Sequence, residues 1–389
     1  MNARPELRAL TSMRGIAAWF VVLYHIRLSI AGLPSEWVAF LAKGYLAVDF
    51  FFLLSGFVIW LSWSETLRDR GFAAVPGFLR KRVARIWPLH LFMLACAVGL
   101  ALLFAVTGRQ DDVNYPFREL PLHIALIQNW GFTDQLSWND PSWSISAELG
   151  AYLFFPFLTL AIDWRRIPSW AVLAAIGSLV VLLHAVMVRG GALTLGTDIT
   201  RFGLIRCLTE FTAGTAICAL WLRWKAHPVT PAAISVLIIV AIALSWWSGL
   251  PETLAAPALF AALLLTLALT SGMRHNPLDK GALHYLGEIS YATYLGHFLL
   301  FVAFKLVFVD DPHAVSPALI GLFLMLVLAS SVALYHLVER PAQRWVNSLA
   351  LLPDTERRAT RRWRGASSST TPAALPLHHA GPPPRIREE

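Results

Sequence analysis

Ten apolar stretches divide the chain, near residues 10–30, 44–63, 86–107, 143–162, 169–188, 203–222, 231–247, 253–271, 286–309 and 315–338. A helix of about 20 apolar residues matches a hydrocarbon core of about 30 Å. Only helices and closed barrels satisfy their own backbone polar groups there. The chain therefore reads as an all-α polytopic membrane protein, a bundle of about ten transmembrane helices. With 57% of its residues apolar and 14% charged, little is left to build a second, soluble domain.

Charge orients the bundle. The net charge of +8 would suggest a nucleic-acid partner in a soluble protein, but here the basic residues sort into alternate loops. With the amino terminus cytoplasmic, the inside connections hold Arg4 and Arg8, then Arg68 to Arg85, Arg165 and Arg166, Arg223 and Lys225, Arg274 and Lys280. Outside connections are acidic, with Asp111, Asp112, Glu119, Asp134 and Asp140 in one and Asp310 and Asp311 in another. The positive-inside rule then places both termini in the cytoplasm, and no nucleic acid is expected as a partner. The first span reads as uncleaved, since it holds His25 and Arg27 and lacks a small-residue cleavage site. The membrane domain is expected over residues 1–340 and an Arg-, Pro- and Ser-rich tail without a packed core over 341–389. Cys96, Cys207 and Cys218 have neither disulfide nor zinc spacing, and no metal set is seen. Trp63, Trp87, Trp143, Trp164, Trp170 and Trp224 stand where headgroup anchors belong.

Several spans carry ionisable residues, which lipid tolerates poorly and which mark functional positions unless they are paired. In "MRGIAAWFVVLYHI", Arg14 and His25 lie eleven residues apart, close to three helical turns, so they share a face about 16 Å apart. Snorkelling of Arg14 and a helix contact for His25 are the plain alternatives. Asp49 sits in "GYLAVDFFFLLSGFVI", Arg82 and Arg85 share a face of "FLRKRVARIWPLHLF", and Glu148 stands in "PSWSISAELGAYLFFP". Arg206 and Glu210, four residues apart, read most simply as an internal ion pair.

These residues, together with "RCLTEFTAGTAI" around Arg206, "YLGEISYATYLGHFLLF" around His297 and "YHLVERPAQRW" around Glu339, resemble the membrane acyltransferase-3 family. Its members are bacterial enzymes that O-acylate extracytoplasmic sugars, lipopolysaccharide O-antigen among them. The likeness runs over roughly residues 8–345. It implies an O-acyltransferase, acetyl first, with acyl-coenzyme A as donor substrate, a carbohydrate hydroxyl as acceptor, and no permanently bound cofactor. Arg14 and His25 match the family's essential first-span pair, and Arg82 and Arg85 its paired-arginine motif, whose planar forks suit the donor's phosphates. His25 then serves as general base or as transient acyl carrier, and Arg14 holds the donor or polarises its carbonyl. Asp49 or Glu148 either orients the imidazole or packs against a buried arginine such as Arg206. His297 and Glu339 are open between acceptor contact and structural pairing.

Only Glu148 matches the fourth-span motif, in which many members have two acidic residues; here Leu149 and Gly150 follow it. No fused esterase-like domain is read, so acceptor delivery is direct or uses a separate extracytoplasmic protein. Two other classes stay open from residues alone. A glycan or lipid-precursor transporter or flippase would also line its path with Arg, His, Asp and Glu, and a membrane scaffold would use the basic tail on anionic lipid.

Overall fold

The computed structural model describes residues 7–273 and 276–349. Ten long helices run through them: α1 (Arg8–Ile26), α2 (Ala47–Arg70), α3 (Val75–Val106), α4 (Ser142–Ala161), α5 (Ser169–Arg189), α6 (Ile199–Trp224), α7 (Val229–Trp247), α8 (Glu252–Thr270), α9 (Ser290–Phe308) and α10 (Pro317–Leu334). Among the described residues, nine helical stretches are long and apolar enough to cross a bilayer, and one of these, Ser35–Val106, contains both α2 and α3. Those two are separated at Gly71, whose φ of 56° ends α2, and the chain reverses so that Trp63 meets Phe78 edge to face. Ten long helices thus match the ten expected spans among the described residues; most bounds agree within several residues, but α3 begins at Val75, eleven residues before the expected 86, and α2 runs on to Arg70. No strand forms among the described residues; one bridge, Ile30 with Val315, ties the end of α1 to the start of α10.

The basic connections gather at one end of the bundle. Arg68 donates to the carbonyl of Ile162, Arg165 pairs with Glu65, Arg223 donates to the carbonyls of Trp164 and Ile167, and Trp221 donates to that of Ala268. This alternation of ends is the one that the charge pattern predicts. Trp143 and Trp164, expected at headgroups, are instead buried. Trp164 donates to Thr215 inside the bundle, because its indole finds a polar partner on the most buried helix.

That helix is α6. It carries Arg206, Thr209, Glu210, Thr212 and Thr215, all buried, whereas the uniformly apolar α7 buries only Ala232 and Ser235. Lipid accepts apolar surface at no cost, so the polar helix is the one that must be enclosed. Glycine permits the closest crossing: a Cβ on Gly56 of α2 would sit 1.9 Å from the carbonyl oxygen of Phe211, and one on Gly214 of α6 would sit 1.9 Å from that of Leu53. The two backbones touch, as small residues allow within membranes.

After α10 the chain makes a π-helical turn, Tyr335–Glu339, and continues as a helix over Arg340–Ser348. Helix therefore extends past the expected boundary at residue 340; residues 350–389 of the tail lie outside the described residues, as do Arg4 and Arg274.

Candidate functional site

The crossing of α2 and α6 sets the first charged contact. Arg206 donates from Nε and Nη2 to the two carboxylate oxygens of Asp49, and from Nη1 to the carbonyl of Leu195 at 2.9 Å. The ion pair expected between Arg206 and Glu210 is therefore not the one formed. Asp49 reaches across the interface of α2 and α6 and accepts from two nitrogens of the guanidinium. Both oxygens of Glu210 are buried without a hydrogen bond among the described residues.

Beside this pair, α1, α2, α3, α4 and α9 line a partly open cavity of about 180 Å³. Arg14, Arg82, Arg85 and Glu148 line it together with Ser55, Ser144, Tyr152, Ser290, Tyr291 and Tyr294. Arg14 donates to Ser290 Oγ at 3.0 Å, and Ser55 donates to Glu148 at 2.5 Å. Arg85 pairs with Glu339 at 2.7 Å, with the carboxylate almost wholly buried; the π-helical turn at the end of α10 brings it there. Arg14 and Arg82 form no ion pair among the described residues. With Glu339 balancing Arg85, two guanidiniums face one carboxylate, and the cavity holds a surplus of positive charge. Phe51, Leu54, Val58 and Ile59 of α2 give the lining an apolar part.

His25, in the last turn of α1, lies outside this lining. Its ring meets that of His297, with Nδ1 of His25 3.1 Å from Nε2 of His297, and Phe298 packs edge-on against it. Tyr294 links the two regions, lining the cavity while its ring centroid lies 6.3 Å from that of His297. Arg14 and His25 thus both face α9, through Ser290 and His297, as their shared helical face requires. Neither Asp49 nor Glu148 bonds the imidazole. Sequence reading missed the hydroxyls of Ser55, Ser144, Ser290, Tyr152, Tyr291 and Tyr294. Their signal was a polar residue one or two turns from a charged one in an apolar span.

A second polar group lies in the connection between α3 and α4. His123, Gln128, Asn129, Asn139 and Ser137 are all buried, and Asn139 reaches into the bundle to donate to the carbonyl of Leu295 at 3.0 Å. Burial pushes the His123 imidazole down to about 3 and the Asp140 carboxyl up to about 6, because each loses the hydration that its charged form requires. This connection leads into the amino-terminal end of α4, away from the basic end, and reaches α9 at Leu295.

The family model described as an acyltransferase domain matches residues 7–336. Over 324 residues the chain is 31% identical to acyltransferase MdmB of Streptomyces mycarofaciens, covering 76% of this chain and 79% of that protein. It is 23% identical over 363 residues to a "Putative O-acetyltransferase" of Staphylococcus aureus (strain COL), covering 85% of this chain but 56% of that longer protein. A third relative, "Protein 2 in picA locus" of Rhizobium radiobacter, is 32% identical over 153 residues, 36% of this chain and 75% of its own. No solved structure matches.

Proposed function

The chain belongs to the acyltransferase-3 family and is a multi-pass membrane O-acyltransferase; from that premise we propose that it moves an acyl group, acetyl first, from cytoplasmic acyl-coenzyme A to a hydroxyl of an extracytoplasmic glycan. The observation that carries this reading is the pair Arg14 and Arg82, which share one cavity carboxylate, Glu148, and form no ion pair among the described residues, so that one positive charge is left over. An uncompensated guanidinium inside a membrane bundle is costly. A polyanionic donor supplies the missing charge, and the guanidinium fork binds phosphate oxygens in pairs.

Arg82 and Arg85 lie early in α3, at the basic end of the bundle, which the positive-inside rule assigns to the cytoplasm, where acyl-coenzyme A is made. The apolar wall of Phe51, Leu54 and Val58 accepts the uncharged arm and acyl chain, which extend past Tyr294 toward His25. There His25 takes the proton of the acceptor hydroxyl as its oxygen bonds the acyl carbon. The carbon–sulfur bond then breaks, and the thiolate leaves with the proton returned by the imidazole. In this reading both termini lie on the cytoplasmic side of a bacterial inner membrane, and the acceptor meets His25 from outside.

Purified protein in lipid nanodiscs, supplied with acetyl-coenzyme A and a polysaccharide acceptor, should release free thiol and ester the acceptor. Glycan movement without thioester consumption would make the protein a transporter.

A further inference from the structure

His25 can act on a hydroxyl only through a ring nitrogen that carries no hydrogen. Its Nδ1 lies 3.0 Å from the carbonyl oxygen of Val21 and 3.1 Å from Nε2 of His297. The other nitrogen of His297, Nδ1, lies 3.1 Å from the carbonyl oxygen of Thr293. A carbonyl oxygen can only accept, so each Nδ1 must be a donor. A neutral imidazole has one such hydrogen. Nε2 of His297 is then bare and accepts from His25, and Nε2 of His25 keeps its lone pair. Among the described residues nothing bonds that last nitrogen, and the ring is only half-buried.

We propose that His297 is the positioning residue of the transfer: with the Val21 carbonyl, it holds His25 as the Nδ1–H tautomer, so that Nε2 is the atom that takes the acceptor's proton. This rests on the reading of His25 as the reactive imidazole. When Nε2 receives the proton, the new cation already donates from Nδ1 to two neutral acceptors, and those bonds strengthen as the ring becomes charged. A carboxylate would do this by adding a buried charge. Here the nearby carboxylates are committed elsewhere, Asp49 to Arg206 and Glu148 to Ser55. The geometry of His297 is set by its own helix, since Thr293 lies one turn earlier on α9.

The test uses the full chain in nanodiscs, labelled with ¹⁵N-histidine and studied by solid-state NMR at neutral pH, with spectra of His25→Ala and His297→Ala to assign the two rings. The wild-type protein should show His25 protonated at Nδ1 and bare at Nε2. His297→Ala should lower turnover about 10–100-fold, as when the partner that orients a functional histidine is removed, with acetyl-coenzyme A binding unchanged. In His297→Gln the amide oxygen accepts the same Nδ1–H, so most of the turnover should return. A wild-type His25 protonated at Nε2, or a folded His297→Ala protein with full turnover, overturns the proposal. If His297→Ala fails to fold, His297→Gln decides: turnover together with the Nδ1–H tautomer supports the positioning role, and loss of both overturns it. Should His25→Ala keep its turnover while the Nδ1–H tautomer is observed, the hydrogen-bond assignment stands but the reading of His25 as the base fails, and the positioning role falls with it.

Discussion

Asp49 and Arg206 close a two-bond fork inside the bundle, with side chains 0% and 1% exposed. Removing one member leaves the other charged and unpaired in the interior, which typically costs about 3–5 kcal/mol. Asp49→Asn and Arg206→Gln should therefore each reduce the amount of folded protein, measured by size-exclusion recovery and thermal unfolding in detergent. The double variant Asp49→Leu, Arg206→Met should recover part of the loss, since it leaves no buried charge. An Asp49→Asn protein of normal stability but without activity would make Asp49 a participant in the reaction.

Donor binding should separate the paired arginines. Arg82→Ala removes a guanidinium with no ion pair of its own and should weaken acyl-coenzyme A binding by about 1.5–3 kcal/mol, the worth of a charged hydrogen bond, at unchanged stability. Arg85→Ala also strands Glu339, so it should lower both binding and melting temperature. Calorimetric titration with acetyl-coenzyme A, beside a melting curve, reads both. Arg82→Lys should rescue only in part, having the charge without the fork.

His25→Ala should abolish transfer while abundance and donor binding persist. General-base catalysis is worth about 10² to 10⁴ in rate, and the loss should reach or exceed that range. Arg14→Lys tests the other end of the same helix face: full activity would mean that charge suffices, whereas an inactive, well-folded protein would mean that the fork itself is needed. Near-normal acylation by His25→Ala would refute the mechanism.

The α3–α4 connection should carry two opposed pH dependences. His123, held down at about 3 by burial, binds fewer protons folded than unfolded, so its contribution is full above its ordinary value of 6.5 and is lost as pH falls from there toward 3. Asp140, pushed up to about 6 by burial, binds more protons folded, so its contribution is present below 6 and fades as pH rises from about 4 to 6. Melting temperatures between pH 4 and 7 should climb more steeply with pH in Asp140→Asn than in wild type, and less steeply in His123→Gln. Equal slopes in all three proteins would contradict the burial of these groups.

Topology is checked by reporters. One fused after Asp311 should report an extracytoplasmic position and one after Arg358 a cytoplasmic one; both on one side would overturn the arrangement of spans.

The element pattern was legible because bilayer thickness fixes helix length and charge asymmetry fixes which loops share an end. All ten spans, the shared end of the basic loops and the common face of Arg14 and His25 follow from one-dimensional periodicity. Pairing was another matter. Arg206 looked matched to Glu210, four residues along its own helix, yet it bonds Asp49, because Gly56 and Gly214 let α2 and α6 approach to backbone contact. Trp143 and Trp164 looked like interface anchors and turned inward, because composition does not say how deep in the bundle a helix sits. Glu339 lay at a span end and gained its place beside Arg85 only through the π-helical turn.

The sequence by itself thus determined the solvent, the helices, their alternation and the identities of the ionisable residues, since each follows from the free energy of placing a segment in lipid. Only the tertiary structure decided which of those residues meet. Arg14, Arg82 and Glu148 share one cavity, and His25 finds His297 instead of a carboxylate. Contacts between helices depend on crossing points and rotations set by small residues and by the enclosure of the polar helix α6, and a linear pattern of apolar and charged residues does not encode those distances.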